Sequence, residues 1–140
     1  MKEIDLLQQL QDEYEEDIKW SVDDSIKLSA FINTIPYKIA KYQNKWFRYK
    51  NALDKISKEI DDLYSVKFLY YKKDFDINLS NSEIKDFISK DVELNSLRLK
   101  AKTLTTLIEF LEKIMKNIDS IRWDIKLMVE YQKFISGVLS

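Results

Sequence analysis

The 140-residue sequence contains no histidine and no cysteine, and it has one glycine and one proline. Histidine is the commonest general base, and cysteine supplies thiolate nucleophiles, disulfides and most structural zinc sites, so these chemistries are excluded. A P-loop or a dinucleotide-binding turn needs several glycines, and a four-helix di-metal site needs a Glu-x-x-His motif. Acidic pairs such as Glu109 and Glu112 have ordinary helix-surface spacing. The sequence therefore predicts a protein that is not an enzyme and holds no cofactor or metal.

Long apolar runs are also missing. No stretch approaches the roughly 18 apolar residues that a membrane-spanning helix needs, and the acidic, amphipathic start is unlike a signal peptide. The lack of cysteine fits a reducing compartment. We therefore predict a cytoplasmic protein that does not contact a membrane.

With so few turn residues, the composition predicts an all-α fold, and the length predicts a single helical domain over residues 1–140. Asp23 or Asp24 is a candidate helix cap within residues 20–34, whose conformation stays ambiguous. Ser80 and Glu83 have capping-box spacing, and Gly137 stands where a helix end is expected. The predicted elements are an acidic helix at 2–18, a long basic and aromatic helix at 36–71 opened by Pro36, a loop at 72–82, and a short helix followed by a long helix at 83–135.

The two long helices carry apolar residues at alternating steps of three and four, which is the spacing of a helical seam. The seam from Ile35 to Leu63 predicts packing on the 92–135 helix, giving a long helical hairpin with short flanking helices. The C-terminal helix has a second, overlapping seam from Leu107 to Met128. Its apolar face is wider than one partner needs, so we expect it to pack on further neighbours, including copies of itself.

Charge is unevenly distributed along the chain, although the net charge is −1. Residues 1–35 carry nine acidic and three basic residues, whereas residues 36–73 carry ten basic and four acidic ones. A basic row accompanies the apolar seam of the second helix. Such a row can follow a phosphate backbone, with nearby aromatic rings for base stacking, or it can be a solvated helix face. The row consists of Lys38, Lys41, Lys45 and Arg48.

A second basic and aromatic cluster ends the same helix. Lys67 occupies a position on the otherwise apolar seam, so its ammonium either reaches water or meets an anion. Tyr70, Tyr71, Lys72 and Lys73 follow directly. We predict that this cluster also contacts nucleic acid.

Three blocks of the sequence occur in a fixed order along the chain. The first block is INTIPYKIAKY at residues 32–42, and the second is LYSVKFLYY at residues 63–71. The third is the C-terminal run at residues 108–137, with Leu-Glu, aromatic-x-Ile-Lys and Lys-Phe-x-x-Gly elements. In this order and register the blocks resemble the UvsY-type recombination mediator proteins of T4-like bacteriophages. None of these motifs is catalytic, and the resemblance rests on their order.

The resemblance implies a mediator that loads a RecA-like recombinase onto single-stranded DNA covered by a single-strand-binding protein. It also implies a ring of six or seven subunits, in the host cell cytoplasm if the protein is phage-encoded. By position in the blocks, Lys41 and Lys67 correspond to basic residues that bind DNA. The other basic residues are predicted from charge alone.

The resemblance further implies that the C-terminal helix assembles the ring. The residues that we predict at this homo-oligomer interface are Ile114, Ile121, Trp123, Ile125, Met128, Val129 and Phe134. The alternative is an oligomeric coiled-coil scaffold that binds no nucleic acid. In that case the basic row would meet acidic segments such as residues 12–17 of a neighbour. The acidic helix could also mimic DNA or dock a basic partner, whereas a plain solvated face is the simpler expectation for those acids.

Overall fold

The structure is a computed structural model, and it describes residues 3–139, with side chains described over residues 5–137. The described chain is all-α and contains no strand. Its two long helices form a helical hairpin and its short helices flank them, which confirms the predicted fold class. In chain order the elements are α1 (Glu3–Asp17), α2 (Ser25–Leu69), a π-helical turn (Tyr70–Asp74), α3 (Asn81–Ser89) and α4 (Val92–Leu139).

Helix α2 begins well before Pro36, so the prediction that this proline opens the helix is wrong. Its first turn is capped by Asp24, whose carboxylate accepts hydrogen bonds from the backbone N–H groups of Ile26 and Lys27 at 3.0 and 3.1 Å. Pro36 lies inside the helix, where it lacks one backbone donor. Ile35 before it and Tyr42 after it are fully buried, so packing holds the helix together on both sides of this position.

The chain leaves α2 through the π-helical turn and becomes extended at Phe75. Helical structure therefore continues through Asp74, into the segment predicted as a loop. Helix α3 begins with the predicted capping box, in which the Ser80 hydroxyl accepts from the Glu83 N–H and the Glu83 carboxylate accepts from the Ser80 N–H. These reciprocal bonds satisfy two amides that the helix itself cannot pair.

Helix α4 is capped at its start by Asp91, whose carboxylate accepts from the Leu94 N–H at 2.8 Å. At its other end the helix continues through Gly137 to Leu139, so the predicted stop at Gly137 is wrong. A glycine ends a helix when it adopts a positive φ. Gly137 does not adopt one.

Both long helices run through two compact units, each with its own apolar core. The first unit contains the chain up to Phe47 and from Glu109 onward, and the second contains Arg48–Ile108. The first core is formed by Leu10, Leu28, Ile35, Tyr42, Leu111, Ile114, Ile118, Ile121 and Ile125. In the second unit Ile84, Ile88 and Leu94 are buried against side chains of α2, the π-helical turn and the following loop, namely Ile60, Leu63, Tyr64, Phe68, Tyr71 and Leu79.

Candidate nucleic-acid interface

The three lysines of the basic row lie in the first unit, and each of them contacts α1 of the same chain. The Lys41 ammonium is 2.8 Å from a Glu13 carboxylate oxygen and also pairs with Asp17. Lys45 pairs with the other oxygen of Glu13, and Lys38 donates to the backbone carbonyl of Asp17 at 3.0 Å. The part of the row formed by Lys38, Lys41 and Lys45, here called the clamped row, is therefore already held by α1. Lys41 and Lys45 pair with carboxylates, and Lys38 bonds to a backbone carbonyl.

A buried tyrosine fixes this arrangement. Tyr42 is fully buried, and its hydroxyl donates to the Asp17 carboxylate at 2.6 Å. Burial and this hydrogen bond raise the pKa of the Tyr42 hydroxyl, so it remains a proton donor. The Lys41 ammonium also lies 4.8 Å from the centre of the Tyr42 ring, within cation–π range.

The electrostatics of the two carboxylates follow from the same contacts. Partial burial acts to raise the pKa of Asp17, but hydrogen bonds from Lys41 and Tyr42 outweigh it, and the pKa lies below its ordinary value. Glu13 behaves in the same way, with burial opposed by hydrogen bonds from Lys41 and Lys45 that lower its pKa. Both groups are thus held ionised by their partners in the folded chain.

These contacts revise the expectation that the acidic residues of α1 form a plain solvated face. Glu13 and Asp17 face the clamped row, and the Asp17 side chain is only 18% exposed. Asp12, Glu15 and Glu16 are exposed as expected. The acidic helix and the basic helix of one chain are therefore partners of each other.

Acid should weaken this contact. Because the pKa values of Glu13 and Asp17 are lower in the folded chain than their ordinary values of 4.5 and 3.8, they stabilise the fold above those values. That contribution is lost as the pH falls through the depressed folded pKa values. We expect the melting temperature, followed by circular dichroism, to fall across this window. A Glu13→Gln/Asp17→Asn variant should lose less over the same window, and an equal loss would contradict the assignment.

The remaining row residue, Arg48, is exposed and lies in the second unit. In that unit the Lys67 ammonium meets an anion, which is one of the two environments that the sequence left open. Its ammonium lies 3.0 Å from Asp91 and 3.5 Å from Glu93. The hydrogen bond to Asp91 raises the pKa of Lys67, so this lysine is charged. It pairs with the carboxylate that caps the start of α4.

The π-helical turn places its tyrosines in an aromatic cluster. Tyr71 stacks on Phe87 with ring centres 5.4 Å apart, and both contact Phe75. Tyr70 lies against Tyr71 at 5.1 Å, and Tyr70 and Phe87 are each almost half exposed. Sequence reasoning missed both Phe75 and Phe87. Phe87 lies on α3, and no local pattern places that helix beside the turn. Exposed rings of this kind suit base stacking.

Two lysines of the π-helical turn accompany these rings. Lys72 donates to the Asn81 side chain at 2.9 Å, and Lys73 is exposed. The structure therefore brings together the predicted residues from Tyr70 to Lys73 within the second unit, with Phe87 added to them.

The predicted interface residues of α4 separate into two groups. Ile114, Ile121 and Ile125 are buried within the first unit of a single chain, so these three residues of the second seam pack inside the protomer and are not presented to a neighbour. Trp123, Met128 and Phe134 are exposed, and Val129 is half-buried. Sequence reasoning overlooked Leu127 and Tyr131, which are also exposed. A shallow groove of about 480 Å³ lies on this face. It is lined by Leu127, Met128 and Tyr131 together with Trp20 and Asp124.

The described residues contain no group of three or more acidic side chains placed to hold a metal ion. Within residues 3–139, no helix is long and apolar enough to cross a membrane.

Comparison with known proteins agrees with the resemblance noted in the sequence. The family model described as "Recombination, repair and ssDNA binding protein UvsY" matches residues 13–138. Among solved structures, the fold is similar to the crystal structure of the bacteriophage T4 recombination mediator protein UvsY, with a TM-score of 0.79 and 21% sequence identity. That match covers 96% of this chain and 98% of the T4 chain. A search of curated proteins found no significant match. Because the family model spans most of the sequence, the chain belongs to the UvsY family of recombination, repair and single-stranded-DNA-binding proteins.

Proposed function

We propose that this protein is a recombination mediator that binds single-stranded DNA and loads a RecA-like recombinase onto strands covered by a single-strand-binding protein. The observation that carries the proposal is the family match over residues 13–138. The basic and aromatic surfaces of the two units are consistent with it. The protein would act as a homo-oligomeric ring of six or seven subunits assembled through α4.

Multivalency is the physical basis of the proposed mechanism. One subunit offers a few Lys and Arg contacts and binds a strand weakly, because each phosphate contact contributes modestly and is screened by salt. A ring presents the same contacts several times at high effective concentration. Holding the strand over such a ring would loosen the single-strand-binding protein and expose the strand to the recombinase.

The candidate strand contacts are the clamped row and Arg48, with the Tyr70–Lys73 segment of the second unit. Lys67, like Lys41, is already paired with two carboxylates, here those of Asp91 and Glu93. The exposed rings of Tyr70 and Phe87 would supply base stacking, which tolerates any sequence.

A scaffold without nucleic-acid binding is the second candidate. The observation that favours it is the pairing of the clamped row with Glu13 and Asp17, since those acids satisfy the lysines without DNA. A scaffold would show no binding to a labelled oligo-dT strand even at low salt. A mediator would bind it with an affinity that falls steeply as salt rises.

Removing two row lysines tests the strand contacts. We expect a Lys41→Ala/Lys45→Ala variant to bind a labelled oligo-dT strand about tenfold more weakly. Because each lost phosphate contact lowers the salt slope of single-strand binding by about 0.7, the slope should fall by up to about 1.4. The measurement is fluorescence anisotropy across a salt series.

The matched control is Lys113→Ala/Lys116→Ala, which removes the same charge from exposed positions on α4. It should retain most of the affinity. Unchanged binding by the Lys41→Ala/Lys45→Ala variant would remove the row from the interface. Recombinase loading is then tested by the ATPase rate of a RecA-like recombinase on a strand covered by single-strand-binding protein, with and without this protein.

A further inference from the structure

We propose that α1 is an internal competitor of the DNA strand: Glu13 and Asp17 occupy the clamped row in the free protein, and a strand takes the row only as α1 leaves it. This inference rests on the proposed single-strand binding. It adds a regulated site to that function, with the anionic helix and the anionic strand exchanging at the same three lysines.

The carboxylates stand where phosphates would bind. Lys41 lies between Glu13 and Asp17, and Lys45 shares Glu13 with it. Glu13 and Asp17 are four residues apart on α1, as Lys41 and Lys45 are on α2, which spaces each pair by about 6 Å along its helix. The two helices thus present opposite charges at the same repeat, and a strand bound to the lysines would have to replace both carboxylates.

The attachment of α1 combines a small apolar contact with polar contacts that a strand can exchange. Among the described side chains of α1, only Leu10 is buried, and Leu6 and Leu7 are half-buried. Tyr14 adds an edge contact to Phe110 and accepts a 3.2 Å hydrogen bond from Asn117. The polar contacts include the ion pairs with Lys41 and Lys45 and the hydrogen bonds from Lys38 and Tyr42.

Partly exposed ion pairs of this kind are individually weak. Lys41 and Glu13 retain 37% and 34% side-chain exposure. A polyanion that releases counterions as it binds can therefore displace them. The competition would also return the row to α1 when the strand departs, so that the mediator does not hold the strand against the recombinase.

Neutralising the two acids tests the inference. A Glu13→Gln/Asp17→Asn variant should bind labelled oligo-dT about tenfold more tightly than the wild type, since a site that is free in a larger fraction of molecules binds with a proportionately lower apparent Kd. The matched control is Asp12→Asn/Glu15→Gln. It removes the same charge from α1 at exposed positions that do not contact the clamped row. It should change the Kd by less than about twofold, which is the screened long-range effect of exposed charges.

The outcomes separate this inference from the proposed function. If the wild type and both variants all ignore the strand, single-strand binding itself is refuted. If the wild type binds and the Glu13→Gln/Asp17→Asn variant binds equally or more weakly, α1 is not a competitor. An equal gain in both variants would assign the effect to net charge and would also overturn the inference.

Hydrogen exchange of the unmodified protein gives an independent measurement that does not depend on a variant's folding. Adding oligo-dT should increase the exchange of α1 amides, because the helix loses its partner surface when the strand binds. Exchange in α4 around Leu111, which lies in the core, provides the internal reference. Unchanged or slower exchange in α1 at saturating strand would contradict displacement.

Discussion

Replacing Leu127 and Tyr131 with glutamate is expected to dissociate the proposed ring into single chains and to lower the affinity for single-stranded DNA by about a hundredfold. Both side chains are about 60% exposed in the single chain, at 64% and 59%. With Trp123 and Phe134 they recur at steps of four and three, so they lie on one face of α4. An exposed apolar patch of this kind on a charged protein indicates an association surface.

The DNA effect follows from multivalency. If the ring raises affinity by presenting several weak sites together, separate chains lose about two or more orders of magnitude. Sedimentation velocity measures the mass, and anisotropy with oligo-dT measures the binding. Ile125 is unsuitable for this test because it is buried within the protomer, so a glutamate there would unfold the chain.

The matched control places glutamates at Val92 and Leu99, which are 84% and 60% exposed and lie in the second unit. This control should retain the wild-type mass. A Leu127→Glu/Tyr131→Glu variant that still sediments as the full oligomer would place the assembly surface elsewhere on the chain.

Truncating Tyr42 to alanine should cost about 3–5 kcal/mol of unfolding free energy, the range for deleting a large buried aromatic side chain. The ring is fully buried, and its hydroxyl anchors Asp17. Tyr42→Phe keeps the ring and removes only that hydrogen bond, so it should cost about 1.5 kcal/mol, as for other bonds to charged groups. Urea unfolding followed by circular dichroism measures both values.

The comparison between the two Tyr42 variants separates packing from anchoring. A Tyr42→Ala variant no less stable than Tyr42→Phe would mean that the ring contributes nothing beyond its hydroxyl. Equal stability of Tyr42→Phe and the wild type would mean that Asp17 is held by the lysines alone.

Local signals predicted most of the fold. The apolar spacing of the two long helices, the Ser80–Glu83 capping box and the cap at Asp24 depend on residues within a few positions of one another. Pro36 and Gly137 misled the prediction for a physical reason. Proline is common at helix starts and glycine at helix ends, but neither residue requires the helix to begin or stop there. Helix α2 includes Pro36, beside the buried Ile35, and α4 continues through Gly137, whose φ is not positive.

The apolar pattern of α4 could not say which side faces inward. Ile125 and Leu127 are both aliphatic and two positions apart, yet one is 3% exposed and the other 64% exposed. Residues this close on a helix point to different faces. Which of the two side chains is buried depends on where the other helices of the unit pack. The sequence of α4 alone does not specify those positions.

The candidate site also has one part that the sequence predicted and one part that only the folded structure defined. Its basic row was evident from charge and helical spacing alone, because both are properties of one helix. Its partners were not, since Lys38 meets Asp17 and Lys45 meets Glu13 across separations of 21 and 32 residues. Whether a charge is paired depends on a distance between two side chains, and a distance between remote residues exists only once the chain has folded.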